Sequence, residues 1–163
     1  MNFCPQCAQP LVRRRYDGLE RACCDAPGCG FVLWDNPTPV VAALVEFEGK
    51  VLLARNAAWP AGQFSVITGY LEKGETPEEC ALREVAEELG LQGRIAAYIG
   101  HYAFLQKNQI ILAFHVVADG IVQLGEELVD YRLIPREKLK PWAFGTGLAV
   151  RDWLQNQEIA LPV

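Results

Sequence analysis

Seven carboxylates fall within the twenty-two residues "GYLEKGETPEECALREVAEELG", Gly69 to Gly90. On a helix of 3.6 residues per turn, Glu84, Glu87 and Glu88 lie within one turn, with Glu84 and Glu88 stacked directly. Like charges this close repel. A solvated helix face would interleave Lys or Arg at i+4, and only Arg83 is at hand. The cluster becomes favourable when a hard divalent cation sits on it, because Mg²⁺ takes oxygen ligands and is usually held by a few carboxylates plus substrate phosphates. Metal-assisted work on a phosphate is the chemistry indicated; for "EVAEE" alone the ordinary alternative is a solvated, Glu-rich helix.

A second ligand set stands near the N-terminus. Five of the six cysteines lie within the first 29 residues, as "CPQC" and "CCDAPGC", and the sixth is Cys80. Paired clusters without a secretory signal favour metal over disulfides. Cys4, Cys7, Cys24 and Cys29 read as a four-cysteine zinc ribbon with a stretched second knuckle. Cys23 and Cys24 compete for the third position; Cys24 is preferred because its shorter loop to Cys29 keeps a knuckle-like turn. Four thiolates close the coordination sphere, so the Zn²⁺ expected here is structural.

The elements that must position these groups are legible in outline. "DNPTP", Asp35 to Pro39, marks a boundary between a Cys-rich module, 1–35, and a larger domain, 36–163. "VVAALVEF" and "KVLLAR" predict strands joined at Glu48-Gly49, a hairpin signal. "AAWPAGQFS" reads as a loop. Thr76, Pro77 and Glu79 form a capping-box start, and Gly90 stops the helix. Cys80, Ala81, Val85 and Leu89 give that helix one apolar face. "GRIAAYIGHYAF", "QIILAFHVVA" and "YRLIP" predict further strands, and "GTGLAVRDWLQNQ" a C-terminal amphipathic helix. The fold class expected is α+β, a mixed sheet with helices.

Composition bounds the partners. The 163 residues are 51% hydrophobic and 21% charged, with a net charge of −5. That balance argues against a general nucleic-acid or membrane-surface binder; Arg13-Arg14-Arg15 is the one basic run. The N-terminal residues hold no apolar signal core and no stretch approaches a membrane span, so a soluble, cytoplasmic protein is expected.

Gly69, Glu75 and the run Arg83-Glu84-Val85-Ala86-Glu87-Glu88-Leu89-Gly90-Leu91, at their spacings, resemble the signature of the Nudix hydrolase family at every specified position. The resemblance implies an α/β/α sandwich and a loop-helix-loop site. There divalent cations bind a nucleoside diphosphate linked to another moiety, and water attacks a phosphorus. Carried onto this chain, it makes Glu84, Glu87 and Glu88 the ligands of Mg²⁺ or Mn²⁺, with a carbonyl near Thr68 or Gly69 as a further ligand. Glu84 or a later acid would act as the base. Glu127, ahead of "YRL", sits where relatives place one more metal-binding glutamate; Glu126 and Asp130 are its neighbours in the same loop. Gly69 is expected to let the backbone turn sharply. Glu75 is expected to pair with Arg83 and hold the loop on its helix.

Zinc ribbon, linker and Nudix-type domain in that order are similar to bacterial NADH pyrophosphatases and to plant FAD or ADP-ribose pyrophosphatases. This implies a dinucleotide or sugar-nucleotide substrate: NADH, FAD or ADP-ribose. A capped RNA end is the one nucleic acid in view, and a homodimer follows by analogy. "HYAFLQKNQIILAF" departs from the first group by lacking its "SQPWPFP" element, and "YRLIPREKLKPWAF" looks more like the FAD-type relatives. Phe64, Tyr70, Tyr102, Phe104, Trp142 and Phe144 are the aromatic candidates for stacking on a base or flavin. His101 and His115, in apolar strands, read as structural. The alternative function is a non-catalytic module that binds a nucleotide or RNA.

Overall fold

In the unit Met1–Asn36, three antiparallel strands, β1 (Leu11–Tyr16), β2 (Leu19–Cys24) and β3 (Val32–Leu33), form a small sheet. The computed structural model describes residues 1–158. Within this unit the fully buried residues are Cys4, Cys23 and Cys24, and no large aliphatic side chain joins them. A sheet of this size without an apolar core needs a metal or cross-links to persist.

The unit beginning at Pro37 is built differently. Its strands are β4 (Thr38–Phe47), β5 (Lys50–Asn56), β6 (Ile67–Tyr70), β7 (Gln92–Phe104), β8 (Gln109–Asp119) and β9 (Leu128–Ile134). They pair in the order β7-β8-β4-β5-β9, with β6 antiparallel to β4. β4 and β8 run parallel and the other neighbours antiparallel, so the sheet is mixed. The β4–β5 turn places Glu48 at φ 51° and Gly49 at φ 69°. Those are the two left-handed residues of the tight hairpin that matches strand twist.

β4 is buried on both faces, and its period of two sorts its side chains. Val41, Ala43, Val45 and Phe47 join one apolar layer, together with Cys80, Ala81, Val85 and Leu89 of helix α1 (Pro77–Leu89). Val40, Ala42 and Leu44 join the other, with Ala149, Val150 and Trp153 of helix α2 (Gly147–Glu158). The result is the α/β/α sandwich, with both cores independent of any metal.

His115 on β8 is buried, hydrogen-bonded to Glu46 at 2.9 Å and edge-on to Trp153. Burial lowers its pKa against the pull of Glu46. It is a core histidine, as its place in an apolar strand suggests. No helix among the described residues is long and apolar enough to cross a membrane.

Candidate active site

Helix α1 carries the acidic cluster, and its start is fixed by local chemistry. The Glu79 amide donates to Thr76 Oγ1 at 3.2 Å, and the Thr76 amide to the Glu79 carboxylate at 2.7 Å, so both halves of the capping box form. Gly90 ends the helix in a left-handed conformation, φ 67°. The segment before the helix is held by Arg83, whose Nε and Nη2 grip Glu75 at 3.0 and 2.8 Å. Nη2 also donates to the Tyr70 carbonyl, while Nη1 reaches Glu84 at 2.7 Å and Glu87 at 3.1 Å. The guanidinium draws Glu75 down to about 2. One arginine therefore ties three glutamates to the end of β6.

Gly69 does not mark a turn. It lies inside β6, paired with Val41, and its φ is not left-handed. The expectation of a sharp bend is corrected by what faces it: a Cβ at this position would fall inside the Glu84 carboxyl group. Glycine is needed because Glu84 packs directly on the strand backbone.

Glu88 stands near enough to Glu84, Glu87 and Glu127 to feel their charge. Burial raises the pKa of Glu84 despite Arg83, and burial together with the charges of Glu84, Glu127 and Glu87 pushes Glu88 up to about 7. Glu127 arrives on the loop after β8. That loop is pinned to the last turn of α1 through Gln123 N–H to the Leu89 carbonyl and Gly125 N–H to the Glu88 carbonyl, at 2.8 and 2.9 Å. Those carbonyls would otherwise lack partners at the helix end. A Cβ on Gly125 would meet the Glu87 carbonyl at 2.8 Å, so the loop comes this close only with glycine there. Sequence reasoning passed over Gly125; the glycine two residues before a ligand candidate was the available signal.

These groups line a cleft of about 1110 Å³. Glu84, Glu87, Glu88 and Glu127 border it together with Gly69 and Arg83. Its apolar wall holds Phe64, Tyr70, Phe104, Trp142 and Phe144, with Phe104 and Phe144 stacked at 6.4 Å between centroids. Trp59, from the "AAWPAGQFS" loop, joins them and was not among the aromatic candidates. Tyr102 departs from its expected place: it packs in the core beneath α2, its hydroxyl donates to Asp152 at 2.9 Å, and it does not border the cleft. Glu126 borders the cleft, whereas Asp130 lies on β9 opposite Arg55. His101 faces the Tyr98 hydroxyl at 3.3 Å, also outside the cleft.

In the N-terminal unit the ligand atoms of Cys4, Cys7, Cys24 and Cys29 all lie within 4.8 Å of one another. Strand alternation separates the two competitors: Cys24 turns into the cluster, while the Cys23 thiol is 3.7 Å from the Val12 carbonyl. Burial pushes Cys4 up, but amides of Gln6 and Cys7 outweigh it and leave the thiol at about 7. Cys24 receives an amide bond from Ala26, yet burial and the neighbouring thiols carry it to about 12. Thiols so disposed cannot all ionise without a cation among them, and four sulfurs at this separation suit one.

The NUDIX domain model matches residues 35–153. The chain belongs to the Nudix hydrolase family. Curated relatives include the NAD-capped RNA hydrolase NudC of Pseudomonas entomophila, 31% identical over 149 residues, 90% of this chain and 52% of that protein. Another is NudC of Chromobacterium violaceum, 36% identical over 118 residues, 72% of this chain and 43% of that protein. The chain spans about half the length of the curated relatives it matches. Among solved structures, a NUDIX hydrolase from Nitrosomonas europaea superposes with a TM-score of 0.81 at 26% identity, over all of this chain and 96% of that one. An ADP-ribose pyrophosphatase from Streptococcus suis, at 18% identity and a TM-score of 0.62 over 75% of this chain and 92% of that one, shares the fold. Enzymes of this family use divalent metals.

Proposed function

We propose that this chain hydrolyses the pyrophosphate bond of a nucleoside diphosphate joined to a second moiety. The observation that carries the reading is four carboxylates lining one cleft, with Glu88 pushed up to about 7, together with an aromatic wall. An all-oxygen donor set bearing uncompensated negative charge fits a hard divalent cation. Glu84, Glu87, Glu88 and Glu127, with the Gly69 carbonyl, would hold Mg²⁺ or Mn²⁺. When bound, the cations supply positive charge to the phosphate oxygens and make water a better nucleophile.

The protein's own groups do the rest. Glu75 fixes Arg83, and Arg83 orients Glu84 and Glu87. One of the carboxylates, Glu84 or a later acid, takes the proton of the attacking water. Phe64, Tyr70 and Trp142, with Trp59 beside them, offer ring faces to a base or nicotinamide. Residues 1–35 act as a ribbon on structural Zn²⁺ held by Cys4, Cys7, Cys24 and Cys29, and residues 36–163 as the hydrolase domain.

The names of the curated relatives direct the substrate toward NAD-containing molecules, including an NAD-capped RNA end, with NADH, FAD and ADP-ribose as the free dinucleotides and sugar nucleotide to compare. A homodimer without membrane attachment is the expected assembly, checked by light scattering. The deciding assay incubates this panel with Mg²⁺ or Mn²⁺ and separates the products. Release of a mononucleotide that Glu88→Gln abolishes is expected; a panel left intact, with the variant indistinguishable from the parent, would overturn the reading.

A further inference from the structure

Unlike Glu84, Glu87 and Glu88, which α1 carries, Glu127 sits exposed on a loop, and Arg83 makes no described hydrogen bond or ion pair to it. Something else must aim it. β5 ends at Asn56, where the register against β9 shifts and Asn56 comes opposite Leu128, one residue past Glu127. There Asn56 Nδ2 donates to Glu127 Oε2 at 3.2 Å, and the next amide, Ala57 N–H, donates to the Glu127 carbonyl at 2.9 Å.

The Asn56 amide cannot turn over without loss. Its Oδ1 accepts the Ala58 N–H at 2.9 Å, which leaves Nδ2 as the group presented to the carboxylate. A flipped amide would set an oxygen against the carboxylate and an N–H₂ against an N–H, losing both bonds. Backbone and side chain thus grip Glu127 from the β5 side, while Gln123 and Gly125 pin the same loop to α1 from the other.

We infer that Asn56 is a positioning residue for the cation site: it holds the Glu127 carboxylate toward Glu84, Glu87 and Glu88 so that a divalent cation meets a preset fourth acid. The inference rests on the metal-dependent reading above. Groups that orient a metal ligand commonly govern 10- to 100-fold in affinity or activity. Asn56 stands immediately before the "AAWPAGQFS" loop segment, and nothing in its spacing marks it; only the bulge between β5 and β9 brings it to Glu127.

The test measures Mn²⁺ binding by calorimetry for the full chain, Asn56→Leu, Glu127→Gln and the double variant, with melting temperatures recorded alongside. Asn56→Leu should weaken Mn²⁺ about 10-fold while the melting temperature stays near the parent's, and should add nothing to Glu127→Gln. Asn56→Ser, too short to bridge, should behave the same way. In turnover assays the loss should fall on kcat and on the Mn²⁺ requirement, with KM for the nucleotide unchanged. Parent-like Mn²⁺ binding in folded Asn56→Leu would overturn the positioning role alone, as would additive losses in the double variant. A parent chain that binds no Mn²⁺ would overturn the metal-dependent reading and this inference with it.

Discussion

In the N-terminal unit four thiols converge until their sulfurs lie within 4.8 Å, whereas in the larger unit four glutamates, three on α1 and one on the loop before β9, line a cleft. Arg83 carries Glu84 and Glu87, and Asn56 carries Glu127. The surroundings differ in the same sense. The thiol unit buries only Cys4, Cys23 and Cys24, so a metal held there would take the place of a core. The sandwich has two apolar layers of its own, so its fold does not depend on a cation in the cleft. Where a protein can fold without its metal, the ligands can be spaced for chemistry; where it cannot, they close.

The largest effect that would break this contrast is expected in the thiol unit. Cys7→Ser should lose the bound zinc and unfold residues 1–36, because structural zinc contributes on the order of 10 kcal/mol to such folds. Metal analysis and amide NMR dispersion would show it. Cys23→Ser, whose thiol faces the Val12 carbonyl, should keep its zinc.

In the cleft, Glu88→Gln should cut turnover about 100-fold or more, the equivalent of roughly 3 kcal/mol of barrier, while leaving the fold intact. Steady-state kinetics beside circular dichroism would separate the two. Gly69→Ala should act one step removed, since the new methyl group falls on the Glu84 carboxyl. Roughly 10-fold in turnover and about 1–3 kcal/mol of stability are expected to go together.

The smallest effect sharpens the claim that Glu88 is buried among like charges. A carboxyl whose folded pKa exceeds its unfolded value loses stability for the fold as pH rises between the two, here from 4.5 to about 7. In metal-free protein Glu88→Gln should therefore raise the melting temperature by about 2 °C at pH 8, with the gain gone at pH 4. Added Mn²⁺ should remove the advantage by stabilising the parent. A variant less stable than the parent at pH 8 would contradict the electrostatic account.

The sequence carried most of the sandwich and the placing of the acidic residues on α1, because those depend on short-range rules. Thr76, Pro77 and Glu79 start a helix by local hydrogen bonds, and Cys80, Ala81, Val85 and Leu89 share a face by period alone. Glu48-Gly49 announced a hairpin for the same reason. What was illegible depends on contacts between distant segments. Gly69 looked like a turn because nothing local says that Glu84, fifteen residues on, packs against its Cα. Tyr102 looked like a stacking residue because its partner Asp152 is fifty residues away. Asn56 and Trp59 gain their places through β5–β9 pairing and the path of a loop, neither of which spacing encodes. Cys24 over Cys23 was within reach, since the pleat sends neighbours to opposite faces.

The most direct test of the two-site account follows ADP-ribose and NADH hydrolysis in H₂¹⁸O after brief EDTA treatment and gel filtration, with zinc measured on the same sample. The account predicts that mononucleotide release stops while about one zinc per chain remains on the four cysteines. Added Mn²⁺ should then restore release, with one ¹⁸O in a product phosphate. Hydrolysis that persists without added cation, or that disappears only in proportion to lost zinc, would contradict it.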